Sequence, residues 1–351
     1  MIRMQPDQPV AAVILAAGAS SRFGSPKPVA RVGSRTMLGV VADVATAAGL
    51  TPVLVVAPSG LQAPETVTVV PNDAPELGMS RSLQLGLAAV PPDRDAAVVL
   101  LADQPSVDVV LLQRLLGSRG AASVVATGAD GRIGPPVLLE RDAFDLADET
   151  SGDVGLRDWL RTHRGLVTAV EVAEPIPDVD EPSDLDHITE PCEGCGARFL
   201  PQVIDEAHPY IGASPACWAA FGELLAREFE RPTYGRIHRH TVDVYAVQHP
   251  GTDERRQRQS VALHLVALCH WLEHGMEAAR LNAITGRLAS GGRSWPWLEP
   301  PSVYPMTVLD VLEARDGDEH VELVRRWGES TWRAWAAHQP RVREWAREAA
   351  E

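Results

Sequence analysis

The sequence predicts two domains of different class: an α/β domain over residues 1–189, built on a parallel sheet with helices on both faces, and an all-α domain over residues 192–351. Three observations predict it. In the first half, short and wholly apolar runs alternate with amphipathic stretches, the pattern of strands buried on both faces and joined by crossover helices. After Pro191 the runs give way to long stretches of helical periodicity. Composition steps at the same place: one Trp, no Tyr and no Cys precede Pro191, whereas eight Trp, all four Tyr, all four Cys and nine of the eleven His follow it.

Residues 10–15 (VAAVIL) read as the opening strand, because an unbroken apolar run of this length suits a strand covered on both sides. Residues 36–48 have helix-forming composition, and Gly49 closes them. Strands follow at 52–57 and 66–70, the second running into Pro71-Asn72-Asp73. A helix is predicted over 76–89, with Leu83, Leu87 and Val90 as its inner stripe. Residues 96–101 make another apolar strand, ending at Ala102-Asp103-Gln104-Pro105. Helices over 107–116 and 156–163, with strands over 122–126 and 166–172, complete this half.

In the second half, Ser214 as N-cap and Pro215 at the first helical position start a helix to residue 230. Further helices are predicted over 233–249, stopped by Pro250, over 256–274, ended by Gly275, and over 278–289. Residues 295–301 form a rigid extended link. A helix over 319–338 then places Val321, Val324, Trp327, Thr331 and Trp335 on one stripe, and Pro340 breaks it before a short terminal helix. The tryptophans are expected as core anchors rather than a binding cage.

The formal net charge is −15, of which residues 1–190 carry −11 and residues 191–351 carry −4. Such an acidic surface argues against nucleic acid as a partner, because phosphate contacts dominate that affinity. Anionic small substrates must then be captured locally. No apolar run reaches transmembrane length and the N-terminus lacks the apolar core of a signal peptide, which predicts a cytoplasmic protein with no membrane partner.

The chemistry concentrates in the loop after the first strand, Leu15-Ala16-Ala17-Gly18-Ala19-Ser20-Ser21-Arg22-Phe23-Gly24-Ser25-Pro26-Lys27. Small residues let the backbone approach a ligand closely, and Gly18 and Gly24 allow successive N–H groups to turn towards one anion. Arg22 and Lys27 add full positive charge. Lys27 is the only lysine among 351 residues that include 32 Lys+Arg, so a point-charge ammonium stands where this chain otherwise uses a guanidinium. The loop is neither a Walker P-loop nor a Gly-x-Gly-x-x-Gly turn.

Asp103, at the exit of a strand and followed by Gln104-Pro105, reads as a Mg²⁺ ligand or as an Asp that merely starts a loop; its place after that strand favours the ligand. Asn72 also lies at a strand end, where an amide can read a base edge. Ser80 and Ser82 read equally as substrate contacts and as helix caps, and Asp153 as a substrate contact or an N-cap.

These residues carry a resemblance. Leu15 to Lys27 resemble the signature L-A-[AG]-G-x-S-x-R-M-G-x-x-K of the molybdenum cofactor nucleotidyltransferases (MobA/MocA-like), with Phe23 in place of Met. Asn72, Gly78, Met79, Ser80, Ser82 and Leu83 are similar to the family's N-P-x-x-x-x-G-x-x-x-S-L, with Asp73 in place of Pro. Asp103 matches L-x-D-x-P, residues 134–139 resemble G-x-P-V-x-x without its usual His, residues 152–157 resemble G-D-x-G-x-R, and residues 178–185 resemble D-I-D-T-P-E-D-L. The resemblance spans residues 10–188 and implies a Rossmann-like, three-layer nucleotidyltransferase (GT-A-like) fold. It implies that Leu15, Ala16, Ala17, Gly18, Arg22, Lys27, Asn72, Gly78 and Ser82 bind the nucleotide, that Arg22, Lys27 and Asp103 are catalytic, and that Asp103 and Asp180 hold Mg²⁺. It further implies CTP, since Ala at the position of Ala17 goes with CTP users, and a molybdopterin-type acceptor, with a molybdoenzyme or its maturation factor as a protein partner. For Asp180 the other reading is a solvated acidic linker.

Two other functions fit the same residues: transfer to a sugar phosphate or phospholactate, or nucleotide binding without turnover by a regulator or cofactor chaperone. In the second half, Cys192-Glu193-Gly194-Cys195 looks like half of a zinc knuckle; Cys217 and Cys269 stand alone in sequence, and His208 or another residue would have to complete a Zn²⁺ site. His238, His240, His249 and His264 read as buried structural histidines or as a metal or acid/base cluster between helices. Residues 208–218 and 240–251 resemble an uncharacterised bacterial helical domain of unknown function, which implies no activity.

Overall fold

A computed structural model describes residues 9–18, 23–24, 26–201, 208–230, 234 and 237–350. The chain separates into two compact units, residues 1–188 and 189–351. Among the described residues no helix is long and apolar enough to cross a membrane.

The first unit opens on β1 (Ala11–Leu15), whose five residues are all buried. A short ribbon of β2 (Arg31–Val32) and β3 (Arg35–Thr36) leads to α1 (Met37–Ala47), where the Thr36 hydroxyl caps the helix by accepting from Gly39 N–H. Then follow β4 (Val53–Ala57), β5 (Thr68–Pro71), α2 (Met79–Ala88), β6 (Ala96–Leu101) and α3 (Val109–Gly117), the last capped by Asp108. The unit closes with β7 (Val124–Ala129), β8 (Arg132–Glu140), α4 (Arg157–Thr162), β9 (Val167–Glu171) and the one-turn α5 (Leu185–Ile188). The sheet order is β5-β4-β1-β6-β8-β7-β9.

Apolar side chains alternate to the two faces of this sheet and form two cores. One lies on the side of α1 and α3, around Ala12, Ile14, Val98 and Leu100; the other lies on the side of α2 and α4, around Val13, Val56, Leu83 and Leu160. This is why β1, β4 and β6 are apolar along their whole length.

Two expectations need correction. The sheet is mixed rather than wholly parallel: β8, which was not anticipated as a strand, runs antiparallel between β6 and β7. Its Gly134-Pro135-Pro136 stretch hides it, because proline removes a ladder donor, and the β7–β8 register shifts there, between Ala126 and Thr127. The helix expected over 76–89 is broken as well. A 3₁₀ turn (Pro75–Leu77) stops at Gly78, whose φ of +90° no helix tolerates, and α2 starts afresh at Met79.

The second unit begins with the two-residue strands β10 (Glu190–Pro191) and β11 (Arg198–Phe199), which pair antiparallel around the Cys-x-x-Cys turn, so this half is not purely helical. Its helices are α6 (Pro215–Glu230), α7 (His238–Gln248), α8 (Arg255–His274), α9 (Ala278–Ser290), α10 (Val308–Leu312), α11 (Gly317–Ala334) and α12 (Gln339–Ala350). Gly275 ends α8 in the left-handed conformation, the C-terminal signal expected of it. Trp327 and Trp335 are fully buried in a single core with Val244, Leu265 and Val324, in keeping with a packing role.

Candidate active site

The β strand order reverses direction in sequence between β1 and β6, and the crevice outside the carboxyl ends of such strands is where open α/β sheets bind ligands. A cavity of about 470 Å³ lies there. Leu15 to Gly18 leave β1 along its wall, and Ala102 and Asp103 leave β6 beside them, the two exits tied by the Ala102 N–H donating to the Leu15 carbonyl at 3.1 Å.

Three charges converge at this cavity. Lys27 Nζ donates to Asp180 Oδ1 at 2.6 Å and to Asp103 Oδ2 at 3.4 Å, from segments 153 and 76 residues apart. Asp180 is held by backbone: Val179 N–H donates to the Asp103 carbonyl at 2.8 Å, binding its loop to the exit of β6. Asp184 Oδ2 then accepts from both Asp180 N–H and Glu181 N–H, at 2.7 and 2.8 Å, and these two bonds hold the Asp184 carboxyl below the usual carboxylate range. The acidic run is therefore folded around Asp180, although much of it is exposed.

Electrostatics follow from that arrangement. Burial works to lower the pKa of the Lys27 ammonium, but the Asp180 and Asp103 carboxylates more than offset it and leave it raised. Asp103 is pushed up, first by burial and then by the neighbouring Asp178 carboxylate, with Lys27 pulling the other way. Gln104 takes up part of that repulsion by donating to Asp178 Oδ1 at 2.9 Å. Two carboxylates closing on one cation at a cavity wall are a donor set that a divalent cation can take, so such an ion fits Asp103 and Asp180.

Of the residues singled out in the sequence, Leu15, Ala16, Ala17, Gly18, Lys27, Gly78, Ser82, Asp103, Asp153 and Asp180 line the cavity. Arg22 lies outside the described residues. Asn72 is not on the wall: it is buried, its amide donates to Ser82 Oγ at 3.0 Å and its Oδ1 accepts from Ala74 N–H at 3.1 Å, which shapes the loop behind the cavity. Neither Ser80 nor Ser82 caps α2, which has no side-chain cap, and Asp153 does not cap α4. Sequence reasoning missed Glu76 and Leu77, which also line the wall, and met Gly152 and Met79, which line it too, only as members of the family patterns. A Cβ on Gly78 would stand 2.4 Å from the Gly152 carbonyl carbon, so the two loops touch backbone to backbone where both carry glycine.

Residues 12–167 match the family model described as the MobA-like NTP transferase domain. The first unit carries a MobA-like NTP transferase domain. It is a nucleotidyltransferase on that match, and the convergence of Lys27 and Asp103 lies within it. Residues 190–336 match the model of a family of unknown function, DUF5946. Among solved structures the chain is similar to Rv0371c from Mycobacterium tuberculosis H37Rv, at 28% identity over 52% of this chain and 98% of that one, with a TM-score of 0.48. It is also similar to the manganese complex of that protein (26% identity, 51% and 96% covered, TM-score 0.44) and to the nucleotidyl transferase Mth528 from Methanothermobacter (23% identity, 52% and 96% covered, TM-score 0.44). No curated protein matches.

In the second unit the histidines do not form one cluster. His238 and His320 both reach the buried Glu228, at 2.8 and 3.0 Å, His264 pairs with the buried Asp243 at 2.7 Å, and His240 stacks on Trp271 with ring centroids 4.0 Å apart. His249 instead joins Cys192, Cys195 and Cys217.

Proposed function

We propose that the transferase domain moves CMP from CTP to molybdopterin or its molybdenum-loaded form, releasing pyrophosphate with the help of Mg²⁺. The observation that carries the reading is Lys27 lying between Asp103 and Asp180 on the wall of a cavity that the glycine-softened loop also lines. An acceptor phosphate oxygen attacks the α-phosphorus; the new P–O bond forms as the bond to the β-phosphate's bridging oxygen breaks, and the electron pair leaves with pyrophosphate. The acceptor phosphate is already ionised at neutral pH, so no Ser-His or Cys-His pair is needed.

Little covalent work falls to the protein, and positioning with electrostatics suffices. Backbone N–H groups of residues 16–18 hold the triphosphate. Lys27 exchanges its carboxylate partners for phosphate oxygens when substrate enters, and Asp103 and Asp180 would then hold a divalent cation, which would offset charge on the pyrophosphate. Ala17 favours CTP by the family's pattern. The test is purified protein with Mg²⁺, CTP or GTP and molybdopterin, the product identified by mass. A cytosine dinucleotide of the pterin is expected; turnover only with sugar phosphates, or a wild type that binds CTP without any turnover and keeps that binding in Asp103→Asn, would contradict the reading.

A further inference from the structure

We propose that Cys192, Cys195, Cys217 and His249 bind one structural zinc ion in the second unit. Each offers a ligand atom, all four residues are buried, and the four atoms lie within 4.8 Å of one another. Zinc bonds of about 2.3 Å to sulfur and about 2.0–2.1 Å to nitrogen place the corners of a tetrahedron about 3.5–3.8 Å apart. Cys195 Sγ and Cys217 Sγ are separated by 3.8 Å, and Cys217 Sγ and His249 Nε2 by 3.3 Å. The first matches such an edge, the second falls slightly short of it, and all four atoms stand within reach of one ion.

The surroundings prepare each ligand. His249 Nδ1 lies 2.8 Å from the Tyr245 carbonyl, which can only accept, so the proton sits on Nδ1 and the Nε2 lone pair faces the sulfurs. Ser214 N–H donates to Cys192 Sγ at 3.3 Å and the Tyr245 hydroxyl to Cys217 Sγ at 3.6 Å, contacts that favour thiolates. The Cys-x-x-Cys turn is closed by Gly196 N–H donating to the Cys192 carbonyl at 2.8 Å and by Cys192 N–H donating to the Ala197 carbonyl at 2.7 Å, with Gly196 at φ +78°. A Cβ on Gly194 would lie 2.4 Å from the Gly212 carbonyl oxygen and 2.5 Å from His249 Cδ2. Only glycine lets this turn seat against the imidazole.

Four protein ligands leave no open position, which marks a structural rather than catalytic ion. The ligands come from the β10–β11 turn, the first turn of α6 and the end of α7, so the ion fastens three segments that share no continuous secondary structure. The inference is independent of the nucleotidyl-transfer reading.

The full-length chain, purified without chelator, is expected to carry one zinc per chain by elemental analysis, and to show tetrahedral cobalt–thiolate absorption when Co²⁺ replaces zinc. Cys217→Ser should lose both. Because that variant risks misfolding, His249→Cys should retain zinc through four thiolates, and Cys269→Ser and Asp103→Asn should retain it because neither residue belongs to the site. A folded chain with no bound transition metal and no cobalt spectrum would overturn the proposal, as would a Cys192–Cys195 disulfide in the folded protein or iron in place of zinc.

Discussion

Lys27 balances two carboxylates in the ligand-free protein and, in the proposed reaction, phosphate oxygens in the complex. Removing a charge aimed at the reacting phosphates typically costs on the order of 100-fold or more in turnover. Lys27→Ala should therefore lower kcat by that order, and Lys27→Arg should recover only part of it, since a planar guanidinium does not replace a point charge between two carboxylates. Pyrophosphate release measures both; full activity in Lys27→Ala would contradict the role. A second residue-scale prediction concerns pH. Burial holds His240 at about 4, below its ordinary 6.5, with Asp243 opposing the shift and Arg239 adding to it. The unfolded chain then binds the extra proton between those values, so the stability this residue contributes is complete above pH 6.5 and is lost as pH falls towards 4, by about 3 kcal/mol. Urea unfolding should show a shallower loss over that window in His240→Phe than in the wild type, and equal slopes would contradict the assignment. At this scale the sequence was readable where chemistry is local. The lone lysine and the Asp103 strand exit stood out directly, whereas the partner of Asn72 did not, because a strand-end amide looks alike in sequence whether it faces a ligand or, as here, Ser82.

Among elements, α2 is positioned by two glycines with opposite demands. Gly78 has φ +90° and ψ −177°, a region essentially reserved for glycine, and a Cβ there would meet the Gly152 backbone at 2.4 Å. Gly78→Ala should cost about 1–3 kcal/mol from backbone strain alone and raise KM for nucleotide by displacing the cavity wall. Gly86 sits inside α2, where alanine ordinarily helps a helix, but its Cβ would lie 2.4 Å from Val13 Cγ1 on β1. Gly86→Ala should therefore destabilise by about 1–3 kcal/mol instead. Thermal unfolding and KM for the two variants separate the effects: both melt earlier, and Gly78→Ala carries the larger KM change. β1, β4 and β6, buried on both faces, were legible as unbroken apolar runs. The antiparallel β8 was not, since Gly134-Pro135-Pro136 signals a break and only its neighbours β6 and β7 make it a strand.

At the scale of the molecule, the composition step near Pro191 falls beside the division between the compact units at Ile188 and Thr189. Each unit has its own core, and eight of nine tryptophans lie in the second, so tryptophan fluorescence reports almost that unit alone. Zinc chelation should lower its thermal transition, because metal binding there contributes folding free energy; an unchanged transition would contradict the four-ligand site. That site was half legible. The Cys-x-x-Cys pair is local, but Cys217 lies 22 residues beyond Cys195 and His249 a further 32, and only the packing of α6 and α7 brings them back. The central claim, that Asp103 and Asp180 act as one cation site beneath the nucleotide phosphates, is tested most directly by the CTP affinity of the wild type, Asp103→Asn and Asp180→Asn, titrated with and without Mg²⁺. Mg²⁺ should tighten CTP binding in the wild type and fail to do so in either variant; a Mg²⁺ enhancement that persists unchanged in both would contradict it.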